Sequence, residues 1–461
     1  MVLVTNGRLI TRDSEGKGYY EHGAVAYEGA KIVEVGEEAA LRAKYADAEI
    51  VDAKGGVIMP AFINAHTHIY SALARGLSIV GNNPTNFYEV LDGTWWAIDR
   101  HLMMDGTRAS ATALYIDSIK QGVTTIFDHH ASYGEIPGTL FTISEESRRL
   151  GLRSCLCYEV SDRDGEEKCL QAIKENADFI TYCQKQNDPM LAAMFGGHAL
   201  FTISDKTFDR MVEANNGRTG YHIHVSEGMN DVYDSLQNYG RRPVQRLQDH
   251  GILGEKTILG HCIHVNTAEM DIIRETNTMV VNNPESNMGN AIGICPVLQL
   301  YKRGILLGMG TDAYNNDMLE SAERVVYNGQ WMACELGKTY PAELTFWPRG
   351  KLDKLFRAKT IKTDYEDFNK HFNLSCDDAD WALRFLSPSR MERILALTNT
   401  AFGDFSVSLH ADGTLYIAVH SGRGFFDVGK GKEPPDALRR RFTRELKWCT
   451  DMIDVFRPAA E

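Results

Sequence analysis

Short apolar runs, each ending in polar or ionisable residues, recur between residue 57 and about residue 320 of the chain. Amphipathic stretches such as 106–121 and 241–250 separate these runs, which have the length and β-branched content of buried strands. The predicted strands cover residues 56–64, 124–128, 153–159, 192–197, 220–225, 257–261, 278–282 and 304–310. Eight strands that alternate with helices predict an α/β fold, in which a parallel sheet closes into a (β/α)8 TIM barrel.

Ionisable side chains lie at the carboxyl ends of these predicted strands, where such barrels carry their functional residues. They are His66, His68, His129, His198, His224, His261 and Asp312. His66 and His68 are two residues apart on one strand, so their side chains project from the same face. Together with His224 and Asp312 they offer three imidazoles and one carboxylate, which suit Zn²⁺ or Fe²⁺ far better than Ca²⁺ or Mg²⁺. The pattern therefore predicts a divalent metal that activates water.

The motifs around these residues resemble those of the amidohydrolase superfamily. The matching metal strands are Pro60-Ala-Phe-Ile-Asn-Ala-His66-Thr-His68, His222-Ile-His224-Val-Ser-Glu227 and Gly310-Thr311-Asp312. Within the superfamily the resemblance is to the deaminase and chlorohydrolase (ATZ/TRZ) branch, and most of all to SsnA-type aminohydrolases. That narrower likeness rests on residues 95–100, 127–132, 286–288 and 310–312. The resemblance covers residues 1 to about 340.

The resemblance implies a role for each candidate side chain. Glu227 would protonate a ring nitrogen of the substrate, His261 would orient the water or polarise the attacked carbon, and Asp312 would both bind the metal and accept a proton. The side chains expected to contact the substrate are His198, His129, Trp95 and Asn287, with His130 left open as the alternative to His129. His222, two residues before His224 on the same face, is expected in a deeper barrel layer.

The end of the fourth strand predicts a single metal. Dinuclear relatives bridge two metals through a carbamylated lysine at that position, and this chain has Gly197-His198 there. Cys157 and Glu159, at the end of the third strand, are the nearby anionic candidates for a bridge, and either could instead contact the substrate. We expect one Zn²⁺ per chain, with Fe²⁺ as the alternative.

The two chain ends are predicted to form a smaller domain. Residues 1–56 alternate short β-rich runs with turns, which predicts a small sheet, with a solvated hairpin as the alternative. Residues 403–419 predict a hairpin, and 438–455 predict an amphipathic helix. In relatives the chain ends build one β-sandwich. The predicted domains are 1–56, the N-terminal part of the sandwich; 57–403, the metal-dependent barrel; and 404–461, the completion of the sandwich and a C-terminal helix.

The composition of the chain limits which binding partners and which cellular compartment are expected. A net charge of −13 predicts a surface that repels nucleic acid, and no apolar run approaches the ~20 residues of a membrane helix. Nine cysteines without CxxC spacing favour free thiols in a reducing cytoplasm. We expect a cytoplasmic protein whose partner is a small-molecule substrate, with no nucleic acid and no membrane. A homo-oligomer, a dimer, is expected as well.

The leading prediction is a metal-dependent aminohydrolase, or deaminase, that cleaves a C–N bond of a purine- or pyrimidine-like heterocycle. One alternative keeps the same site but expels another leaving group or opens a cyclic amide. The other is a catalytically idle, metal-stabilised barrel that serves as a scaffold or binding protein. Glu227 and Asp312 favour catalysis, because a purely structural metal site needs no acid beside it.

Overall fold

The computed structural model describes residues 1–13, 16–77, 79–325, 330–349, 360–420 and 434–457. The chain divides into two compact units, Met1–Arg324 and Val325–Glu461. The first unit holds an N-terminal sheet and the barrel, and the second holds a sheet with its own helices. Within the described ranges, none of the helices is both long and apolar enough to cross a membrane.

The N-terminal sheet has five strands. They are β1 (Val2–Ile10), β2 (Tyr19–Glu28), β3 (Lys31–Glu37), β4 (Glu49–Asp52) and β5 (Val57–Ile58). The strand order is β3-β2-β1-β4, with β5 also paired to β1. Buried residues alternate along β1, including Leu3, Thr5 and Leu9, as a strand with one covered face requires. The predicted sheet is present, and it is mixed because β4 and β5 lie parallel to β1.

The barrel strands follow in chain order. They are β6 (Phe62–Thr67), β7 (Val123–His130), β8 (Arg153–Tyr158), β9 (Leu191–Ala193), β10 (Phe195–Ala199), β11 (Tyr221–Val225), β12 (Ile258–His261), β13 (Met279–Asn282) and β14 (Leu307–Met309). β9 pairs with β8 and β10 pairs with β11, so the two short strands together make the fourth barrel strand. Parallel bridges Val160–Gly197 and Thr67–Asp312 join the two parallel sheets into one circuit. The predicted eight-stranded barrel is confirmed.

Seventeen helices are assigned in the described residues. They are α1 (Glu38–Lys44), α2 (Phe87–Val90), α3 (Trp96–His101), α4 (Met104–Lys120), α5 (Thr139–Leu150), α6 (Glu166–Gln186), α7 (Asp205–Asn215), α8 (Met229–Tyr239), α9 (Pro243–Asp249), α10 (Thr267–Glu275), α11 (Pro284–Gly289), α12 (Val297–Lys302), α13 (Met318–Val325), α14 (Glu366–His371), α15 (Ala379–Phe385), α16 (Pro388–Thr398) and α17 (Pro435–Phe456). In α4, buried Ala111, Leu114 and Ser118 recur at helical spacing, which turns one face toward the barrel core.

The C-terminal unit is built on an antiparallel sheet. Its strands are β15 (Gln330–Glu335), β16 (Leu344–Pro348), β17 (Phe372–Cys376), β18 (Asp404–Leu409) and β19 (Thr414–His420), in the order β15-β19-β18-β16-β17. Helix α17 buries Trp448, Met452 and Phe456 at spacings of four residues in the core of this unit. The predicted hairpin and closing helix are present as β18–β19 and α17.

The predicted boundary at residue 403 lies inside the second unit and is corrected to residues 324 and 325. Strands β16 and β17 fall in the segment that we had assigned to the barrel, and β16 pairs with β18. On β16, Leu344 and Phe346 alternate with less buried residues, and the Phe346 ring contacts Phe372 of β17. This period-two pattern spans only five residues among charged neighbours, so the sequence analysis did not identify a strand here.

Candidate active site

Three imidazoles and a carboxylate converge at the carboxyl ends of the barrel strands. His66 lies on β6 and His68 directly follows it, His224 lies on β11, and Asp312 follows β14. Asp312 Oδ1 is 2.9 Å from His68 Nε2 and 3.6 Å from His66 Nε2. His224 Nε2 is 3.3 Å from His68 Nε2. All four side chains are buried. The four predicted metal ligands are therefore neighbours in space.

The other ring nitrogen of each imidazole faces an outer group. The Nδ1 distances are 2.8 Å from His66 to His222 Nε2, 2.6 Å from His68 to the carbonyl oxygen of His129, and 3.9 Å from His224 to Glu159 Oε1. Such partners orient metal-binding histidines and leave Nε2 for the metal. Among the described residues, the buried Nε2 of His66 has no hydrogen-bond partner. This donor set fits a divalent metal held by nitrogen and carboxylate ligands.

The electrostatics of the cluster favour a bound cation. Burial opposes ionisation of Asp312, but the adjacent imidazoles of His66 and His68 hold its pKa well below the usual range. Burial lowers the pKa of His66 to about 3. Burial also opposes protonation of His68, yet Asp312 and Glu159 outweigh it and raise its pKa to about 9. Metal binding here would displace the proton that His68 shares with Asp312.

The backbone at the end of β14 is tightly constrained. Asp312 N and Thr311 N both donate to the carbonyl oxygen of His66 at 3.0 Å. A Cβ at Gly310 would lie 2.5 Å from that same oxygen, so only glycine fits between the strands. Asp312 and His261 have φ values of 58° and 67°, in the left-handed region that non-glycine residues rarely adopt. Strained backbone of this kind gathers at functional sites.

A second carboxyl group, that of Glu227, lies near Asp312 across the ring of His261. His261 Nε2 is 3.5 Å from Glu227 Oε2 and 3.7 Å from Asp312 Oδ2, and its Nδ1 is 2.8 Å from Asn287 Oδ1. Burial, aided by the charges of Asp312 and Asp231, raises the pKa of Glu227 well above its ordinary value. Two carboxyl groups with pKa values pushed apart are the arrangement expected of an acid and its partner base.

A pocket opens onto these groups. Its walls include aromatic side chains from Tyr70, Phe87, Trp95, Trp96 and Tyr314, and polar groups from Glu159, His198, Ser286 and Asn290. A π-helical turn, Leu91–Trp95, precedes α3, and both tryptophans of this segment contact the pocket. His198 accepts a hydrogen bond from Trp96 Nε1 at 3.4 Å, and its Nδ1 is 2.9 Å from Thr202 Oγ1. Single-turn π-helices recur at functional sites.

The predicted substrate contacts divide into two groups. His198 and Trp95 line the pocket, whereas His129 and Asn287 are not among its lining residues in the described structure. His129 Nε2 lies 2.9 and 3.0 Å from two backbone carbonyl oxygens, and Asn287 bridges His261 and Asn282. Both side chains therefore support the pocket wall from behind. The alternative to His129, His130, is also buried outside the lining, and burial lowers its pKa to about 3.

Sequence reasoning missed several pocket residues, among them Tyr70, Trp96 and Tyr314. Tyr70 lies two residues after the predicted ligand His68, and Tyr314 lies two residues after Asp312. Their closeness in sequence to these ligands could have identified them as pocket residues. Trp96 was noted only as part of a motif. Its position follows from the π-helical turn, which periodicity arguments based on 3.6 residues per turn do not anticipate.

Known families match both units of the chain. Residues 57–336 match the model described as "Amidohydrolase family", and residues 325–457 match "Protein of unknown function (DUF3137)". A 5'-deoxyadenosine deaminase from Methanobrevibacter smithii is 32% identical over 305 residues, which are 66% of this chain and 67% of that protein. A 5-methylthioadenosine/S-adenosylhomocysteine deaminase from Pelotomaculum thermopropionicum is 30% identical over 325 residues, covering 69% and 72%.

Solved structures show the same fold. An adenosine deaminase from Xanthomonas campestris with bound zinc has a TM-score of 0.58 at 23% identity, covering 70% of this chain and 72% of its own. The guanine deaminase of E. coli has a TM-score of 0.61 at 17% identity, covering 70% and 78%.

The barrel, the histidine and aspartate metal ligands and the nearby glutamate together define a metal-dependent hydrolase that acts on carbon–nitrogen bonds. The chain belongs to the amidohydrolase family. The cofactor is a divalent metal, and the substrate is a small molecule.

Proposed function

We propose that this protein is a zinc-dependent aminohydrolase that deaminates a purine-like heterocycle. His66, His68, His224 and Asp312 would bind one Zn²⁺, and Glu227 would serve as the general acid. The observation that carries the proposal is that the Nε2 atoms of His66 and His68 face Asp312, with His224 Nε2 beside His68 Nε2 and the Glu227 carboxyl group beside His261. The deaminase names of the curated relatives, which act on adenosine derivatives, favour a purine-like substrate.

Each side chain would have a defined part in the reaction. When bound, the metal supplies a nucleophile at neutral pH by lowering the pKa of water. Asp312 would take one proton from the attacking water, and Glu227 would give its proton to the ring nitrogen next to the amino-bearing carbon as the C–O bond forms. The C–N bond to the amino group would then break, the proton held by Asp312 would leave with ammonia, and the remaining hydroxyl proton would return to Glu227 as the carbonyl forms. His261, fixed by Asn287, would orient the water between the two carboxyl groups.

The substrate would lie in the aromatic pocket next to these groups. Trp95 offers a flat apolar surface, and His198 offers a ring nitrogen that already accepts from Trp96. Burial lowers the pKa of His198 to about 4, so it would meet the substrate as a neutral imidazole. His129 and Asn287, predicted as direct contacts, would act by holding the pocket wall.

Metal analysis and ammonia release test the proposal together. We expect one zinc per chain after gentle dialysis, and ammonia release from at least one aminated purine. His66→Ala and Asp312→Ala should each lose both metal and activity. Stoichiometric metal in His66→Ala would contradict the ligand assignment. A stable ratio near two that is lost on Glu159→Gln would instead show a bridged pair of metals.

Two further expectations complete the proposal. We propose a cytoplasmic homodimer, which size-exclusion chromatography with light scattering would test through the molar mass in solution. A chain that binds metal but releases no ammonia from any aminated heterocycle would favour the idle scaffold or a different leaving group.

A further inference from the structure

Glu159 is a pocket residue that the reaction above does not use. It directly follows β8, and its backbone is pinned on both sides: its N–H donates to His130 O at 2.8 Å, and its carbonyl oxygen accepts from Tyr133 Oη at 2.7 Å. Its side chain is only 2% exposed, yet it lines the pocket that holds the metal ligands. The carboxylate is therefore held in a wall of the active site.

The side-chain carboxylate of Glu159 receives only part of the hydrogen bonding that it can accept from the protein. The nearest nitrogen is His129 Nδ1 at 3.3 Å, and His198 Nε2 and His224 Nδ1 both lie 3.9 Å away. Strong N–H···O hydrogen bonds to carboxylates are about 2.7–2.9 Å long. His198 Nε2 accepts from Trp96, so it has no proton to offer Glu159. A carboxylate has room for about four hydrogen bonds, and a buried one is costly when they are unmade.

Outside the metal site, the pocket offers no lysine or arginine to an anionic group among the lining residues that the structure describes. Its other ionisable lining side chains are Glu227, Asp312, two tyrosines and imidazoles. Arg163 stacks behind Trp96 at 5.0 Å from its ring and pairs with Asp99. Like charges placed together in a binding site cost several kcal/mol. The pocket is thus matched to flat ligands without negative charge.

We propose that Glu159 is the specificity residue of this pocket, and that it accepts hydrogen bonds from an N–H edge of an uncharged or cationic aromatic heterocycle. The inference rests on the proposed function and narrows its substrate class. An amino group beside a ring N–H presents two parallel donors, the geometry that a carboxylate accepts in a bidentate manner. The aromatic walls would pack against the plane of the heterocycle, and the Glu159 carboxylate would accept hydrogen bonds from the N–H groups at its edge.

Calorimetric binding to the zinc-loaded Glu227→Gln protein, which should keep its metal and lose catalysis, tests this without turnover. Guanine and hypoxanthine share a ring N–H, and guanine adds the amino group beside it; adenosine and adenosine 5'-monophosphate differ by the phosphate. We expect this parent protein to bind guanine about 10–100-fold more tightly than hypoxanthine, the usual worth of a hydrogen bond to a charged group. We expect it to bind adenosine more tightly than the monophosphate. Glu159→Gln should reduce the first preference to within about threefold.

Glu166→Gln is the matched control, because it removes the same charge from the exposed start of α6 and should keep both preferences. Equal binding of guanine and hypoxanthine by the parent Glu227→Gln protein overturns the inference whatever the Glu159→Gln change does. An equal loss for both purines in Glu159→Gln would also overturn it, since Glu159 would then serve only as a counter-ion for His129. If the wild type released no ammonia while these binding preferences were still observed, the proposed deamination would be rejected, but the role of Glu159 in ligand binding would stand.

Discussion

The contact between His66 and His222 predicts how much a buried side chain behind the metal ligands contributes to metal affinity. A metal on His66 Nε2 requires the ring proton to be on Nδ1, which lies 2.8 Å from His222 Nε2. Burial lowers the pKa of His222 well below its ordinary value, so its neutral ring can accept this proton. His222→Leu removes the acceptor and favours the wrong tautomer of His66. His222 itself does not line the pocket in the described structure.

The expected loss follows from the size of that single hydrogen bond. Removing the outer partner of a metal-binding histidine usually lowers metal affinity about 10–100-fold, or about 1.4–2.7 kcal/mol. The Nδ1–H of His66 would also be left without a hydrogen-bond acceptor in a buried position, which costs about 1–3 kcal/mol of folding free energy. We expect both effects in His222→Leu. His222→Gln keeps an acceptor oxygen and should lose less of each.

Competition against a zinc chelator measures the metal dissociation constant of each variant. Urea unfolding of the metal-free proteins measures the folding cost separately. An unchanged zinc affinity in a folded His222→Leu protein would refute the reasoning, because the tautomer of His66 would then be set by something other than His222. Equal losses in the leucine and glutamine variants would show that volume, and not hydrogen bonding, is what His222 contributes.

Three further predictions follow from the charged groups. Glu227→Gln should keep its metal and lower kcat by about 10²–10⁴-fold, the usual worth of a positioned general acid, and a near-normal kcat would assign Glu227 a structural role. Since burial raises the pKa of Glu227, wild-type kcat/KM should fall as pH rises through that pKa, and a pH–rate profile of the glutamine variant should lack this limb. Arg163→Met should lower the free energy of unfolding by about 3–5 kcal/mol in urea titrations, because it leaves buried Asp99 unpaired; a loss below 1 kcal/mol would contradict this.

Much of the barrel could be predicted from the chain alone, because each strand is a local apolar run with a polar end. The runs that end at His224 and His261 coincide with β11 and β12 within a residue or two. A fold built from repeated local units leaves a repeated local signal. The second unit lacks such a signal: its strands β16 and β17 are short and lie among charged residues, so the pairing of β16 with β17 and with β18 could not be predicted.

What the sequence by itself determined was the set of chemical groups at the barrel mouth, and what the tertiary structure alone decided was the direction that each group faces. His66, His68 and His224 were identifiable because strand periodicity and motif spacing are local properties. That His129 faces backbone carbonyls while Glu159 faces the pocket depends on contacts between strands far apart in the chain. Register and side-chain packing set those contacts, and neither is encoded within any single run of residues.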